Sequence, residues 1–188
     1  MSDLAPGLLL AAPPLGDPQF ERRVVLLASH NEEGAFGWVI NGDELMSMAE
    51  LLARAEVAPD APPGIPGVVR SGGPVGKEQV WLLYRTEDKP EDVEDQFDIG
   101  FGISASSSRK MLEAMLHGGA PDPIVGIAGY AGWGPSQLEE EIRSGAWLPG
   151  DGSSHLLFEV DSKDVWLKAF ESMGTSAIAF TSKVIGSA

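Results

Sequence analysis

The chain contains no cysteine among its 188 residues. Disulfides, thiolate nucleophiles and Cys-ligated zinc are thereby excluded, and the composition agrees with a reducing compartment, so the cytoplasm is the expected location. Basic residues are scarce: 13 Lys and Arg stand against 28 Asp and Glu, a formal charge of −15. The resulting field repels phosphate backbones and anionic lipid, which disfavours direct nucleic-acid binding and any membrane partner. Arg22-Arg23 is too small a cluster to track phosphates and reads as a solvated pair flanking a strand. Long apolar runs are missing too, since none approaches the roughly 18 residues of a membrane span. The patch Leu8-Leu9-Leu10-Ala11-Ala12 stops at Pro13-Pro14 and lacks a preceding basic region, so it reads as neither signal peptide nor span.

Catalytic signatures are equally sparse. His30, His117 and His155 share no metal-ligand spacing and read as surface or capping residues, so neither a metal nor a cofactor is expected. No Gly-x-Ser-x-Gly elbow is present. Gly72-Gly73-Pro74-Val75-Gly76-Lys77-Glu78 fails as a phosphate loop, with three residues between Gly72 and Gly76 instead of four and Glu78 where magnesium needs a hydroxyl. Gly100-Phe101-Gly102-Ile103-Ser104-Ala105 loosely matches a dinucleotide fingerprint, yet its glycines fall inside an alternating strand pattern. Glu87 to Asp98, with seven acids and one lysine, reads as a solvated loop, because a calcium-binding EF-hand loop needs a central Gly.

What is present suffices for one sizeable core. With 43% hydrophobic residues the expectation is a single domain over 1–188, with a smaller sub-structure from the middle of the chain as a further option. Val24 to Ala28 and Phe36 to Ile40 read as strands of a hairpin, and Leu45 to Ala55 as an amphipathic helix. Pro59 to Pro66 is an irregular connection. Val68 to Arg70 and Val80 to Tyr84 flank a turn as strands, and Phe97 to Ile103 alternates as one half-buried strand. Ser106-Ser107-Ser108 caps a helix through His117, and Ile124 to Ala128 is a further strand. Leu156 to Val160 reads as a strand and Asp164 to Met173 as a helix capped by Asp161 or Ser162. Strands and helices without regular alternation indicate an α+β fold.

The densest run of unusual residues is Gly129-Tyr130-Ala131-Gly132-Trp133-Gly134-Pro135-Ser136-Gln137-Leu138-Glu139-Glu140-Glu141-Ile142. With Gly134 at the N-cap, Pro135 takes the first helical position, Gln137 reaches back, and Leu138 meets Trp133 as a staple. Gly145 closes the helix in the left-handed conformation. Three early glutamates weaken a phosphate site at this helix start. Capping and packing are a sufficient account of this run, and only Tyr130 and Gln137 also stay open to a binding role.

This run, together with Gly7-Leu8-Leu9-Leu10-Ala11, Asp17-Pro18-Gln19-Phe20, Gly34-Ala35-Phe36-Gly37-Trp38-Val39-Ile40-Asn41, Gly72-Gly73-Pro74-Val75 and Trp147-Leu148, resembles the YqgE/AlgH family of small bacterial proteins. The resemblance spans almost the whole chain, departing at Gly42-Asp43, where a basic residue and a proline are expected. It implies a strongly bent mixed sheet forming a pseudo-barrel flanked by helices. It implies no established enzymatic activity, although some members carry a transcriptional-regulator label. The first functional reading is a non-catalytic cytoplasmic protein that binds a partner protein or small ligand, with Tyr130, Gln137, Asn41 and Gly73 as its candidate surface. A second is a hydrolase or transferase with its site at the glycine-rich turns, and a third, a DNA-binding regulator, is disfavoured by charge.

Overall fold

In the computed structural model, which describes residues 4–13, 17–61 and 64–174, the apolar runs become strands of one curled sheet. The strands are β1 Gly7–Ala11, β2 Val24–Asn31, β3 Gly34–Val39, β4 Glu44–Ser47, β5 Val68–Ser71, β6 Val75–Arg85, β7 Gln96–Gly100, β8 Ile103–Ser106, β9 Ile124–Trp133 and β10 Trp147–Gly150. The helices are α1 Met48–Arg54, α2 Arg109–Leu116, α3 Gln137–Arg143, α4 Ser154–Phe158 and α5 Val165–Ser172. The strand order is β10-β1-β2-β3-β9-β6-β8-β7, and β4 joins through β5, which lies parallel to β9. The α+β class and the bent sheet, curled into a half-barrel, are as expected.

Strand β9 organises the curl. Its first half pairs with β5 and β6, and its last three residues pair with β3. Gly129 marks the change of partner at φ +78, where a Cβ would lie 2.8 Å from the Gly73 carbonyl oxygen and 2.9 Å from that of Val75. Only a glycine lets three backbones approach there.

Alternation along β1 shows why this sheet reads as continuously apolar. Leu8 and Leu10 face one core with Leu26, Trp38, Ile127, Trp166 and Phe170. Leu9 and Ala11 face the other, with Val25, Leu27, Val39, Trp133 and Trp147. Both faces are covered, so both sets are apolar. A third cluster, with Met48, Leu52, Val69, Leu82, Tyr84 and Met111 among its buried residues, lies under α1 and α2. Among the described residues no helix is long and apolar enough to cross a membrane.

Several elements differ from the sequence reading. The helix expected from Leu45 starts at Met48, because Ser47 and Glu50 form a reciprocal capping box, and Leu45 sits 51% exposed in β4. The single strand expected over Phe97 to Ile103 is a hairpin. Phe101 (φ 55) and Gly102 (φ 73) form its two-residue turn, and only Ile99 and Ile103 of the alternating set are buried. The strand expected at Leu156 to Val160 is α4 instead, since so short an apolar run has no period to separate strand from helical turn. The cap of α5 is Asp164; Asp161 holds the preceding turn, its carbonyl accepting the Asp164 and Val165 amides. Strands β5 and β6 flank their turn as expected but do not pair, because β9 lies between them. Pro62 and Pro63 of the irregular connection lie outside the described residues.

Candidate functional site

Past the end of β3 the chain passes through Ile40-Asn41-Gly42-Asp43 before entering β4. Asn41 is only 5% exposed, so its carboxamide must find partners, and it finds two. Its Oδ1 accepts the Val24 amide at 2.8 Å and its Nδ2 donates to the Arg22 carbonyl at 2.9 Å. The clamp holds Arg22 in the left-handed region at φ 53, a conformation that costs a non-glycine residue about 1 kcal/mol or more. Arg23 turns back, donating to the Asn41 carbonyl at 2.8 Å and to Asp43 Oδ1 at 2.9 Å.

These residues form one wall of a groove of about 840 Å³, closed on the other sides by Arg70 of β5 and the α4–α5 segment. Its lining is of mixed polarity: half-buried Val125, Phe158 and Val160 supply the apolar surface, and Ile40, Leu157 and Val165 are buried beneath it. Charge of both signs lines it: Arg22, Arg23, Arg70 and Lys163 against Glu21, Asp43, Glu44 and Asp161. The Asp161 carboxyl is held below its usual range, first by the Lys163 backbone amide, then by the Lys163 ammonium, with Arg70 adding a smaller pull.

A second depression of about 210 Å³ shares Arg23, Gly42 and Asp43 with the groove and is completed by Gly73, Pro74 and Lys77. Gly73 has φ +147, and a Cβ there would run into the Tyr130 carbonyl, so packing explains this glycine. Tyr130 is half-buried, its ring 4.9 Å from Phe36 in an aromatic group that continues through Trp38 and Trp81 to Phe97. The indole N–H groups of Trp38 and Trp81 are buried there without a hydrogen-bond partner among the described residues.

Gln137 belongs to a third depression of about 280 Å³, beside Trp133, Glu141 and Trp147. Its Oε1 accepts the Gly134 amide at 3.0 Å, the expected reach-back. Helix α3 nevertheless starts at Gln137, not Pro135, because Ser136 at φ 62 breaks the helical path. Strand β9 also runs on through Trp133, well past the Ala128 at which the expected strand ends. Gln137 Nε2 donates to Glu141 Oε1 at 2.8 Å, while Glu141 Oε2 accepts both indoles, Trp133 at 2.9 Å and Trp147 at 2.8 Å. Gly145 closes the helix at φ +82, as expected. Glu139 reaches His30 Nε2 at 3.0 Å, and its carboxyl is held below the usual range by its own backbone amide and then by His30.

The four sequence candidates thus occupy different places. Asn41 frames the main groove, Gly73 the adjoining depression, Gln137 the third, and Tyr130 an aromatic cluster. Arg70, Lys163 and the Leu157–Val165 wall were not singled out. No local sequence signal marks them: that four of the 13 basic residues of this acidic chain meet in one groove is decided by the tertiary structure.

Comparison with known proteins follows the same outline. Residues 8–178 match the family described as AlgH-like. A UPF0301 protein of Anaeromyxobacter sp. (strain Fw109-5) is 40% identical over 180 residues, 92% of this chain and 89% of that protein. One from Idiomarina loihiensis is 37% identical over 175 residues, 93% of each. The solution structure of the AlgH protein from Pseudomonas aeruginosa aligns with a TM-score of 0.77 at 30% identity, over 96% of this chain and 94% of that one. A Corynebacterium diphtheriae protein, 22% identical, shares the fold with a TM-score of 0.74 over 94% of this chain and 91% of its own.

Proposed function

The chain belongs to the AlgH-like family, and on that premise we propose that it is a non-catalytic cytoplasmic protein that binds a small ligand in the groove framed by Asn41. One observation carries the reading: a groove of about 840 Å³ lined by charges of both signs and by half-buried Val125, Phe158 and Val160, and framed by the doubly bonded, buried Asn41. Small-molecule sites have this size, and the charged lining points to a polar or charged ligand. The lining residues support binding over turnover. Arg23 is occupied by Asp43 and Lys163 by Asp161, and the only hydroxyl among the described lining residues, Ser162, has no histidine beside it in that lining to serve as its base. A protein of this kind acts through what its bound state presents to a partner, which is the regulatory role in this reading.

The test is a ¹H–¹⁵N correlation spectrum recorded while a low-mass cell extract is titrated in, followed by extraction of whatever is retained. Amides of Asn41 to Glu44, Arg70 and Val160 to Lys163 should move together, and the retained compound should be recovered unaltered. Shifts confined to Gln137 to Glu141 would refute the groove, and chemical conversion of the compound would refute the non-catalytic role.

A further inference from the structure

We infer that the groove takes a small organic monocarboxylate, its carboxylate held by Arg70 and Arg22 and its apolar body lying against Val125, Phe158 and Val160. The inference rests on the groove being the ligand site and adds the ligand's chemistry. Of the four cations in the lining, two are already engaged: Arg23 by the Asn41 carbonyl and Asp43, and Lys163 by Asp161 at 3.3 Å. The guanidinium groups of Arg70 and Arg22 make no hydrogen bond and no close ion pair among the described residues, although Arg70 lies near enough to Asp161 to pull on its carboxyl. The nearest recorded partner of Arg22 is the Trp166 ring, 5.8 Å from its guanidinium carbon.

Arg70 is the more telling of the two. It stands half-buried on β5, a strand paired on both sides by β4 and β9, so its backbone is fixed. A guanidinium held there gains from a planar acceptor that takes two of its N–H groups, the geometry a carboxylate supplies. Arg22 is presented from the opposite wall, its left-handed backbone closing the Asp17 to Arg23 turn and its carbonyl held by the Asn41 clamp.

The acids in the lining select among anions. Glu21, Asp43, Glu44 and Asp161 surround the same opening, and the whole chain carries −15, so a phosphate dianion meets more repulsion than a monoanion with the same reach. Half-buried Val125, Phe158 and Val160 give a hydrocarbon body a surface to cover, a gain that a simple inorganic anion does not have.

The experiment titrates the full chain with hexanoate, n-hexanol, hexylamine and inorganic phosphate, following the amides of Asn41 to Glu44, Arg70 and Val160 to Lys163. Hexanoate is expected to move them and to bind at least about tenfold more tightly than hexanol or phosphate, the scale of one charge-assisted bidentate contact. Arg70→Gln should weaken hexanoate by about tenfold or more and leave hexanol unchanged, and Arg70→Lys should fall between. Arg22→Gln serves as the second variant should Arg70→Gln not fold, and Arg109→Gln, on α2 away from the groove, should change nothing. Equal binding of hexanol and hexanoate with no effect of Arg70→Gln overturns the carboxylate while leaving the groove as a ligand site. Tighter binding of phosphate overturns the selection against dianions, and so the inference. Hexanoate shifts that map outside the groove overturn both this inference and the reading beneath it.

Discussion

Replacing Asn41 by alanine isolates the contact on which the groove is built. The substitution deletes the bonds to the Val24 amide and the Arg22 carbonyl, each worth about 1 kcal/mol net. It also leaves the Val24 N–H without an acceptor in a residue that is 0% exposed, adding about 1 kcal/mol or more. The expected loss is therefore about 2–4 kcal/mol, or a fall in Tm of roughly 4–16 °C for a chain of this size. Asn41→Asp keeps the acceptor for Val24 but turns an oxygen toward the Arg22 carbonyl, so it should lose the second bond and add repulsion. Urea unfolding followed by tryptophan fluorescence measures the stability, and native-state hydrogen exchange at the Val24 amide reports the local contact. An Asn41→Ala protein within about 0.5 kcal/mol of the parent, with Val24 still protected, would refute the clamp.

The remaining expectations concern the packing around the same sheet. Glu141→Ala strips the acceptor from two indoles and from Gln137 and should cost about 3–5 kcal/mol in urea unfolding, whereas Glu140→Ala, on an exposed position, should stay within about 0.5 kcal/mol. Gly73→Ala forces a Cβ into the Tyr130 carbonyl at a left-handed φ and should cost about 2 kcal/mol or more by the same measurement; a neutral result would show that the turn can move. The Glu139 carboxyl titrates below its ordinary 4.5 in the folded chain. A depressed carboxyl contributes stability above that ordinary value and loses it as pH falls through the folded one. Glu139→Gln should therefore melt below the parent at neutral pH, and the gap should close on acidification; a gap that persists at low pH would contradict the sign.

Much of the fold was legible because its causes are local. Val24 to Ala28 and Phe36 to Ile40 announce their strands by β-branched and aromatic residues around a polar turn, and the hairpin is there. Ser108 caps α2 from its own neighbourhood, and Gln137 reaches back to Gly134 across three residues. The misreadings have local causes as well. Phe101-Gly102 hides a turn inside an alternating pattern, and Ser47 with Glu50 places a helix start in the middle of an apolar run. The candidate site was less legible: Asn41 was singled out with its family motif, while the residues it faces across the groove were not.

What the sequence by itself determined is therefore what depends on near neighbours: the strands, most caps, the glycines at crowded turns, the acidic charge and the missing thiol chemistry. Only the tertiary structure decided that Arg22, Arg70 and Lys163, from three distant segments, line one groove with Asn41. That convergence follows from β9 lying between β3 and β6, with β5 parallel beside it. Strand order is set by how two buried faces pack across the whole sheet, and no window of local periodicity contains it.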